Sequence, residues 1–454
     1  MSITHRRGGR AASRTLVARR ALTLVGLAAS LGAATGVQAQ PASGDRLLLG
    51  DLYAGIERAN PRIAAANALA TAAQARVAGA RRPPDPQLQL GFMNYTLPGL
   101  APMPLLGMSQ LQLMQMLPLG GKLRSAGRAA DAQASATGER AREVAWETRG
   151  AAAMAFYDLY AADAQLDAAR ETIRLLHDVE RTAQAMYRVG DGRQADVLRA
   201  QVEIARMTED TLRMRAMRAT MVARLNALLD RAAELEPGRA TLPLFPDTLP
   251  SRTALDSLAA GERPMIRAGL DEVRAAEASQ QGARREIWPD LQVGVQYAQR
   301  GGEMGTERMG SFMLGASLPV FARDRQFRMR EEAAAMTRMA QADLAAMRAE
   351  TRGKLGEAYA SLTRARALSR LYRSTVLPQA EAAVASALAA YRVGGVDFMT
   401  LLEGRMTVNQ YRQQLHVLEA DEGKAWAELE MLIGRELFDP NRASATSAGA
   451  GGAR

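Results

Sequence analysis

The chain states its pattern twice, at an offset of about 203 residues. Pro61, Pro86 and Leu88 recur as Pro264, Pro289 and Leu291. Leu117-Pro118-Leu119 recurs as Leu318-Pro319-Val320, and Tyr187-Arg188-Val189-Gly190 as Tyr391-Arg392-Val393-Gly394. An apolar pair follows each turn, Val197-Leu198 and Leu401-Leu402. Solenoid units recur every ~20–50 residues, so this is a duplicated half rather than a repeat array. Each half reads as helix, strand pair, very long helix, turn, helix. Such a chain must pack long helices side by side and close the edges of its strands on something.

Residues 1–39 have the order of a secretory signal peptide. Arg6, Arg7, Arg10, Arg14, Arg19 and Arg20 precede an apolar run from Ala21 to Val37, and Val37-Gln38-Ala39 suits a small-residue cleavage site. A membrane anchor is the competing reading, but the run is short and rich in Ala and Gly, where a spanning helix wants about 20 apolar residues. The same six arginines account for much of the charge. The whole chain has 58 basic and 48 acidic residues. Subtracting the six leaves 52 against 48, a net charge of +4. The basic balance is therefore no argument for nucleic acid as a partner. Past residue 39 no apolar run reaches the length of a transmembrane helix. The expectation is a periplasmic, secreted or outer-membrane barrel protein.

There is no cysteine, so no disulfide, thiolate metal site or lipid-bearing N-terminal cysteine. Histidine occurs only at His5, His177 and His416, too scattered for a histidine-based catalytic or zinc site. Gly120-Gly121-Lys122 lacks the upstream glycine and the following Ser or Thr of a phosphate loop. No catalytic residue, resident metal or cofactor is expected.

Between Pro118 and Pro237 there is no proline, and Ala, Arg, Glu, Gln, Leu and Met predominate. The stretch is broken only at Val189-Gly190-Asp191-Gly192, a tight turn by composition. A helix over Lys122–Arg188 would be about 100 Å long, one over Asp191–Arg231 about 60 Å and one over Leu47–Ala80 about 50 Å. The second half predicts helices over 252–286, 322–390 and 396–436. Pro378 has no counterpart in the first half and predicts a kink. One long helix lying against two shorter ones, twice per chain, is the economical packing. An ordinary helical bundle such as a periplasmic adaptor hairpin satisfies the helices equally well.

Gln87-Leu88-Gln89-Leu90-Gly91-Phe92 alternates strictly, as do Gln110-Leu111-Gln112-Leu113 and Leu291-Gln292-Val293-Gly294-Val295-Gln296-Tyr297. Phe312–Leu318 alternates with one lapse, at Met313. One row is apolar and the other is Gln, Gly and Ser, the pattern of a water-filled barrel with its apolar side outward. A half-buried soluble sheet alternates in the same way. Four strands cannot close a membrane barrel, whose smallest examples have about eight, so several chains would have to share one.

With these features together the chain resembles the TolC family of outer-membrane efflux channels over essentially all of its length after residue 39. The residues carrying the resemblance are the duplicated halves, Asn60-Pro61-Arg62-Ile63, Trp288-Pro289-Asp290-Leu291, Leu117-Pro118-Leu119-Gly120-Gly121-Lys122 and the two Tyr-Arg-Val-Gly turns. The resemblance implies an α+β membrane protein. Three identical chains, with four strands each, would form a twelve-stranded outer-membrane β-barrel continued by a long periplasmic α-helical coiled-coil barrel. It divides the chain into a first repeat at 40–235 (strand pair 86–118), a linker at 236–251, a second repeat at 252–440 (strand pair 289–319) and a disordered tail at 441–454. It implies docking to a periplasmic adaptor and an inner-membrane efflux pump, with outer-membrane lipid around the strands.

Pro83-Pro84-Asp85-Pro86, Gly91-Phe92-Met93-Asn94 and Ser109-Gln110 to Met116-Leu117-Pro118 look like the branch associated with heavy-metal efflux, including copper. The tip sequence Arg392–Leu402 is similar to that branch and also to multidrug channels; type I protein secretion uses the same architecture. Met93, Met103, Met108, Met114, Met116, Met304, Met309 and Met313 lie in or near the strands. Thioether sulfur is a soft ligand for Cu(I), and methionine is equally a packing filler. By resemblance Arg188, Val189, Gly190, Arg392, Val393 and Gly394 are expected to meet the adaptor. Asp196, Asp397 and Glu403 are the candidates for a gate at the tip, where a threefold axis would gather each into a ring; the competing reading is a solvated carboxylate at a helix start.

Overall fold

The computed structural model describes residues 46–99, 101–103, 107–302 and 305–442. The expected signal segment 1–39, residues 443–454 of the expected tail, and Met304 lie outside the described residues. In chain order the elements are β1 (Arg46–Leu47), α1 (Leu49–Ala59), α2 (Pro61–Ala80), β2 (Gln87–Met93), β3 (Tyr95–Thr96), β4 (Ala101–Pro102), β5 (Met108–Pro118), α3 (Lys122–Val189) and α4 (Gln194–Leu228). The second half continues with β6 (Arg239–Ala240), α5 (Arg252–Glu262), α6 (Pro264–Arg285), β7 (Asp290–Gly302), β8 (Gly305–Ala316), α7 (Gln326–Leu371), α8 (Leu377–Arg392) and α9 (Phe398–Ile433).

The opening helix of each half, expected over Leu47–Ala80 and 252–286, is two helices. The break falls before a proline both times, because Pro61 and Pro264 have no N–H to continue the ladder and suit a first helical turn. Asn60 caps α2 by accepting from the N–H groups of Arg62 and Ile63 at 2.9 and 3.3 Å. Its amide also donates to the Leu228 carbonyl at 2.8 Å, tying the cap to the end of α4.

The long helix of the second half does not simply kink at Pro378. A π-turn over Tyr372–Val376 joins α7 to α8, with the Leu377 N–H bonded back to the Tyr372 carbonyl. The wider turn precedes the residue that has no donor, and the axis continues to Arg392. The tract from Gln326 to Arg392 thus matches α3 in length. The start is later than expected because 320–325 forms turns. Gly434, with φ +76°, ends α9 short of 436.

Among the described residues three apolar cores stabilise the helices. One joins α1, α3, α4 and α9 around Leu49, Ile56, Phe156, Tyr157 and Leu225. Beside it a second joins α5, α7 and α9 around Leu255, Leu355, Leu362, Trp426 and Leu429. The third lies farther along α3 and gathers Leu176, Val179, Val384, Phe398 and Leu401 from α3, α8 and α9 with Ala200 and Met207 from α4. Alanines such as Ala152, Ala153 and Ala169 are buried along α3, so neighbouring helices approach closely while little area is buried per residue. The segment between the halves is packed in. β1 pairs in parallel with β6, Phe245 meets Phe438 edge-on at 5.5 Å, and the Leu244 N–H donates to the Arg442 carbonyl.

The four long strands form one antiparallel sheet in the order β2-β5-β7-β8, which joins the two halves through β5 and β7. Among the described residues β2 and β8 each have a neighbour on one side only.

Candidate functional site

Register decides what each face of the sheet presents. Leu88, Leu113, Val295 and Phe312 are cross-strand partners in one row, and Leu90, Leu111, Tyr297 and Gly310 in the next. Leu117, Leu291 and Ala316 lie two rows below on the same face, with Gln115, Val293 and Leu314 between. Most of these large side chains are exposed in the single chain, Leu88, Leu90, Phe312 and Leu314 strongly so. From Leu291 to Tyr297 the band is about 20 Å tall at ~3.3 Å per residue, near the ~25 Å apolar band of a membrane barrel. The opposite face carries Gln89, Gln112, Gln296 and Ser311 in one row. The Gln296 amide donates to Gln110 there at 2.5 Å. Among the described residues no helix is long and apolar enough to cross a membrane.

Where the sheet meets the helices, Gly120 and Gly121 take φ +71° and +75°, a left-handed pair that turns β5 into α3. Trp288 lies over Gly120 and Arg285 over Gly121 so closely that a Cβ at either would collide. Arg285 donates to the Gly120 carbonyl at 3.0 Å, and Lys122 bonds Asp290 at 2.8 Å. Trp288, Leu318, Val320 and Phe321 remain exposed at this end.

At the far end of α3 the chain turns at Gly190 (φ +86°), whose N–H and those of Asp191 and Gly192 close onto the Met186 and Tyr187 carbonyls. The second turn uses Gly394 (φ +73°), with the Gly395 N–H bonded to the Ala390 carbonyl at 2.8 Å. A Cβ at Gly190 or Gly394 would meet nothing, so backbone conformation alone asks for glycine there. Arg188 and Arg392 are exposed beside them. Val189 and Val393 are 70% and 83% exposed, apolar side chains held out at both tips.

The carboxylates divide. Asp397 caps α9, its carboxylate accepting from the Thr400 N–H at 3.0 Å and from the Thr400 hydroxyl. These bonds hold its pKa below the ordinary carboxylate value, and the Arg199 guanidinium adds to the effect. Asp196, in the first turn of α4, pairs with the same Arg199 at 3.9 Å. It also joins burial in raising the Tyr391 hydroxyl. The two turns therefore lie side by side, with Arg199 paired to Asp196 and its charge felt weakly at Asp397. Glu403 is exposed and forms no ion pair among the described residues. Arg199 was not singled out by sequence; its i,i+3 spacing from Asp196 looks like any surface helix pair. The Thr172 hydroxyl and Asn409 Oδ1, 2.9 Å apart in the buried tip core, were likewise hidden in helical sequence.

The outer membrane efflux protein family matches residues 52–231 and 255–435, one block in each half of the duplication. No curated protein matches the chain in sequence. Among solved structures CusC superposes with a TM-score of 0.73 at 17% identity, covering 86% of this chain and 92% of that one. The outer membrane protein VceC of Vibrio cholerae gives 0.71 at 19% identity, covering 86% and 97%. The open-state MtrE outer membrane channel of Neisseria gonorrhoeae gives 0.68 at 17%, covering 86% and 89%. At these identities the likeness is one of fold. The chain thus belongs to the outer membrane efflux proteins, a family of passive channels rather than enzymes.

Proposed function

We propose that three copies of this chain close their sheets into one twelve-stranded barrel in the outer membrane, with their helices continuing below as a periplasmic tunnel. The carrying observation is the four-stranded sheet itself. It exposes an apolar band on one face, a glutamine-lined surface on the other, and free hydrogen-bonding edges on β2 and β8. An open edge is untenable in lipid, and pairing β8 of one copy with β2 of the next satisfies every edge. The duct performs no chemistry. An inner-membrane pump supplies the drive, and a periplasmic adaptor meets the tips at Arg188–Gly190 and Arg392–Gly394. The exported cargo is heavy-metal ions such as copper, a reading supported by the strand sequences.

Mass measurement in detergent should give a homotrimer, and the purified protein should conduct ions in a planar bilayer. A folded monomer that conducts, or a water-soluble protein that never partitions into outer membranes, would overturn this reading in favour of a periplasmic coiled-coil protein.

A further inference from the structure

The four long strands contain six described methionines: Met93, Met108, Met114, Met116, Met309 and Met313. Register places all six on the glutamine face. The other face of the same strands carries Leu, Val, Phe and Tyr as its large apolar side chains, with Gln115 among them and Ser109, Gln299 and Arg308 toward one end, and it has no methionine. A residue used only as hydrophobic filler belongs on the apolar face, so filling does not account for this sorting.

Two of the six converge. Met114, Gly294 and Met313 occupy one cross-strand row on three adjacent strands. Because Gly294 has no side chain, its neighbours lean in from both sides. A Cβ placed on it would lie 3.2 Å from Met114 Cγ and 3.4 Å from Met313 Cε. Both methionines are half-buried, and together they bury Gly294. The Gln112 amide lies against the Met114 sulfur on this face.

We infer that Met114 and Met313, meeting over Gly294, form a transit site for a soft monovalent cation, Cu(I) or Ag(I), on the polar face of the sheet. The inference deepens the heavy-metal reading proposed above and rests on it for the direction of traffic. Thioethers are neutral, polarizable donors that prefer soft cations over the hard ions abundant in solution. A channel site must attract its ion without trapping it, and a pair of neutral sulfurs with no carboxylate in their row meets that condition. Met116 lies one row below, Met309 two rows above, and the facing pair Met93 and Met108 one row beyond Met309. Thioethers thus stand along about 27 Å of strand, at ~3.4 Å per residue from Met108 to Met116.

The test uses the full-length protein in detergent, labelled with methyl-13C methionine and titrated with silver nitrate. The Met114 and Met313 methyl resonances, assigned from Met114→Leu and Met313→Leu, should shift together and saturate. Their half-saturation should come at least tenfold below that of Met329, an exposed methionine on α7. Met207, buried in the helical core, should not move. Potassium conductance in a bilayer should be equal in wild type and the double leucine variant, which establishes that the variant is folded and that the channel reading holds. Silver should impede the wild-type current at concentrations at least tenfold lower than in the variant. A conducting channel whose paired methyls respond no more tightly than Met329 overturns the site and leaves the channel standing. A protein that does not conduct overturns the channel, while the methyl titration still decides the site. Tight silver binding in a protein whose deletion leaves cellular silver and copper tolerance unchanged keeps the site and overturns the cargo.

Discussion

Tyr391 packs edge-on against Phe398 across the α8–α9 turn, ring centroids 5.9 Å apart. Its counterpart in the first half, Tyr187, has no such partner among the described residues. Aligning the Tyr-Arg-Val-Gly turns puts Gln194 where Phe398 stands, and Tyr187 is 49% exposed while Tyr391 is 6% exposed. The two tips share a backbone solution and differ in what anchors it. Phe398→Ala should cost about 3–5 kcal/mol, the usual range for a buried Phe. Hydrogen exchange checks the consequence. Amides at Gly394–Val396 should exchange more slowly than those at Gly190–Gly192 in the wild type, and the difference should vanish in the variant. Equal exchange at both turns in the wild type would remove the asymmetry.

Val189 and Val393 carry no packing role in the single chain, so exposed apolar groups there are free to serve a partner. Val189→Asp with Val393→Asp should abolish export and adaptor cross-linking while leaving trimer mass and heat-modifiable migration unchanged. Wild-type export by the double variant would count against docking at the tips.

Asp397 and Glu403 are proposed to ring the constriction, with Asp196 beside them paired to Arg199. Asp397→Asn preserves a good capping residue, so fold and charge separate cleanly in this substitution. Together with Glu403→Gln it should reduce cation selectivity and weaken block by multivalent cations in single-channel recordings. If selectivity is unchanged, Asp397 is a helix cap and nothing more.

Glu430 is buried near the end of α9, and its carboxylate accepts from the Leu437 N–H at 2.7 Å. Burial raises its pKa from 4.5 to about 7, against the pull of its backbone hydrogen bonds and Arg149. The folded state therefore keeps a proton that the unfolded chain has already released between those two values, and stability falls as pH rises through that window. The loss is on the order of 3 kcal/mol per protomer. Melting temperature compared at pH 5 and pH 8 should drop in the wild type and change less in Glu430→Gln. Parallel behaviour of the two proteins would show that other groups govern the response.

Local sequence was enough to determine the duplication, the long helices, the strand pairs and the glycine turns. Each is written within a few residues: helix formers without proline, alternation of period two, a left-handed position that only glycine fills without strain. Even the family was legible, because spaced motifs such as Asn60-Pro61 and Trp288-Pro289 survive in order. What sequence left open depended on partners far away in the chain. Nothing local says that β5 lies beside β7, which brings Gln110 to Gln296 and Met114 to Met313. Met313 read as a lapse in an apolar alternation, and only the register reveals that it continues the polar row. In the same way Arg199 looked like half of a surface ion pair until the fold set the second turn beside it, and Tyr187 and Tyr391 looked equivalent until packing gave one of them a neighbour. Short-range pattern fixes conformation because its energetics are local. Which side chains share a face or a charge is decided by long-range pairing, and that is a property of the folded chain.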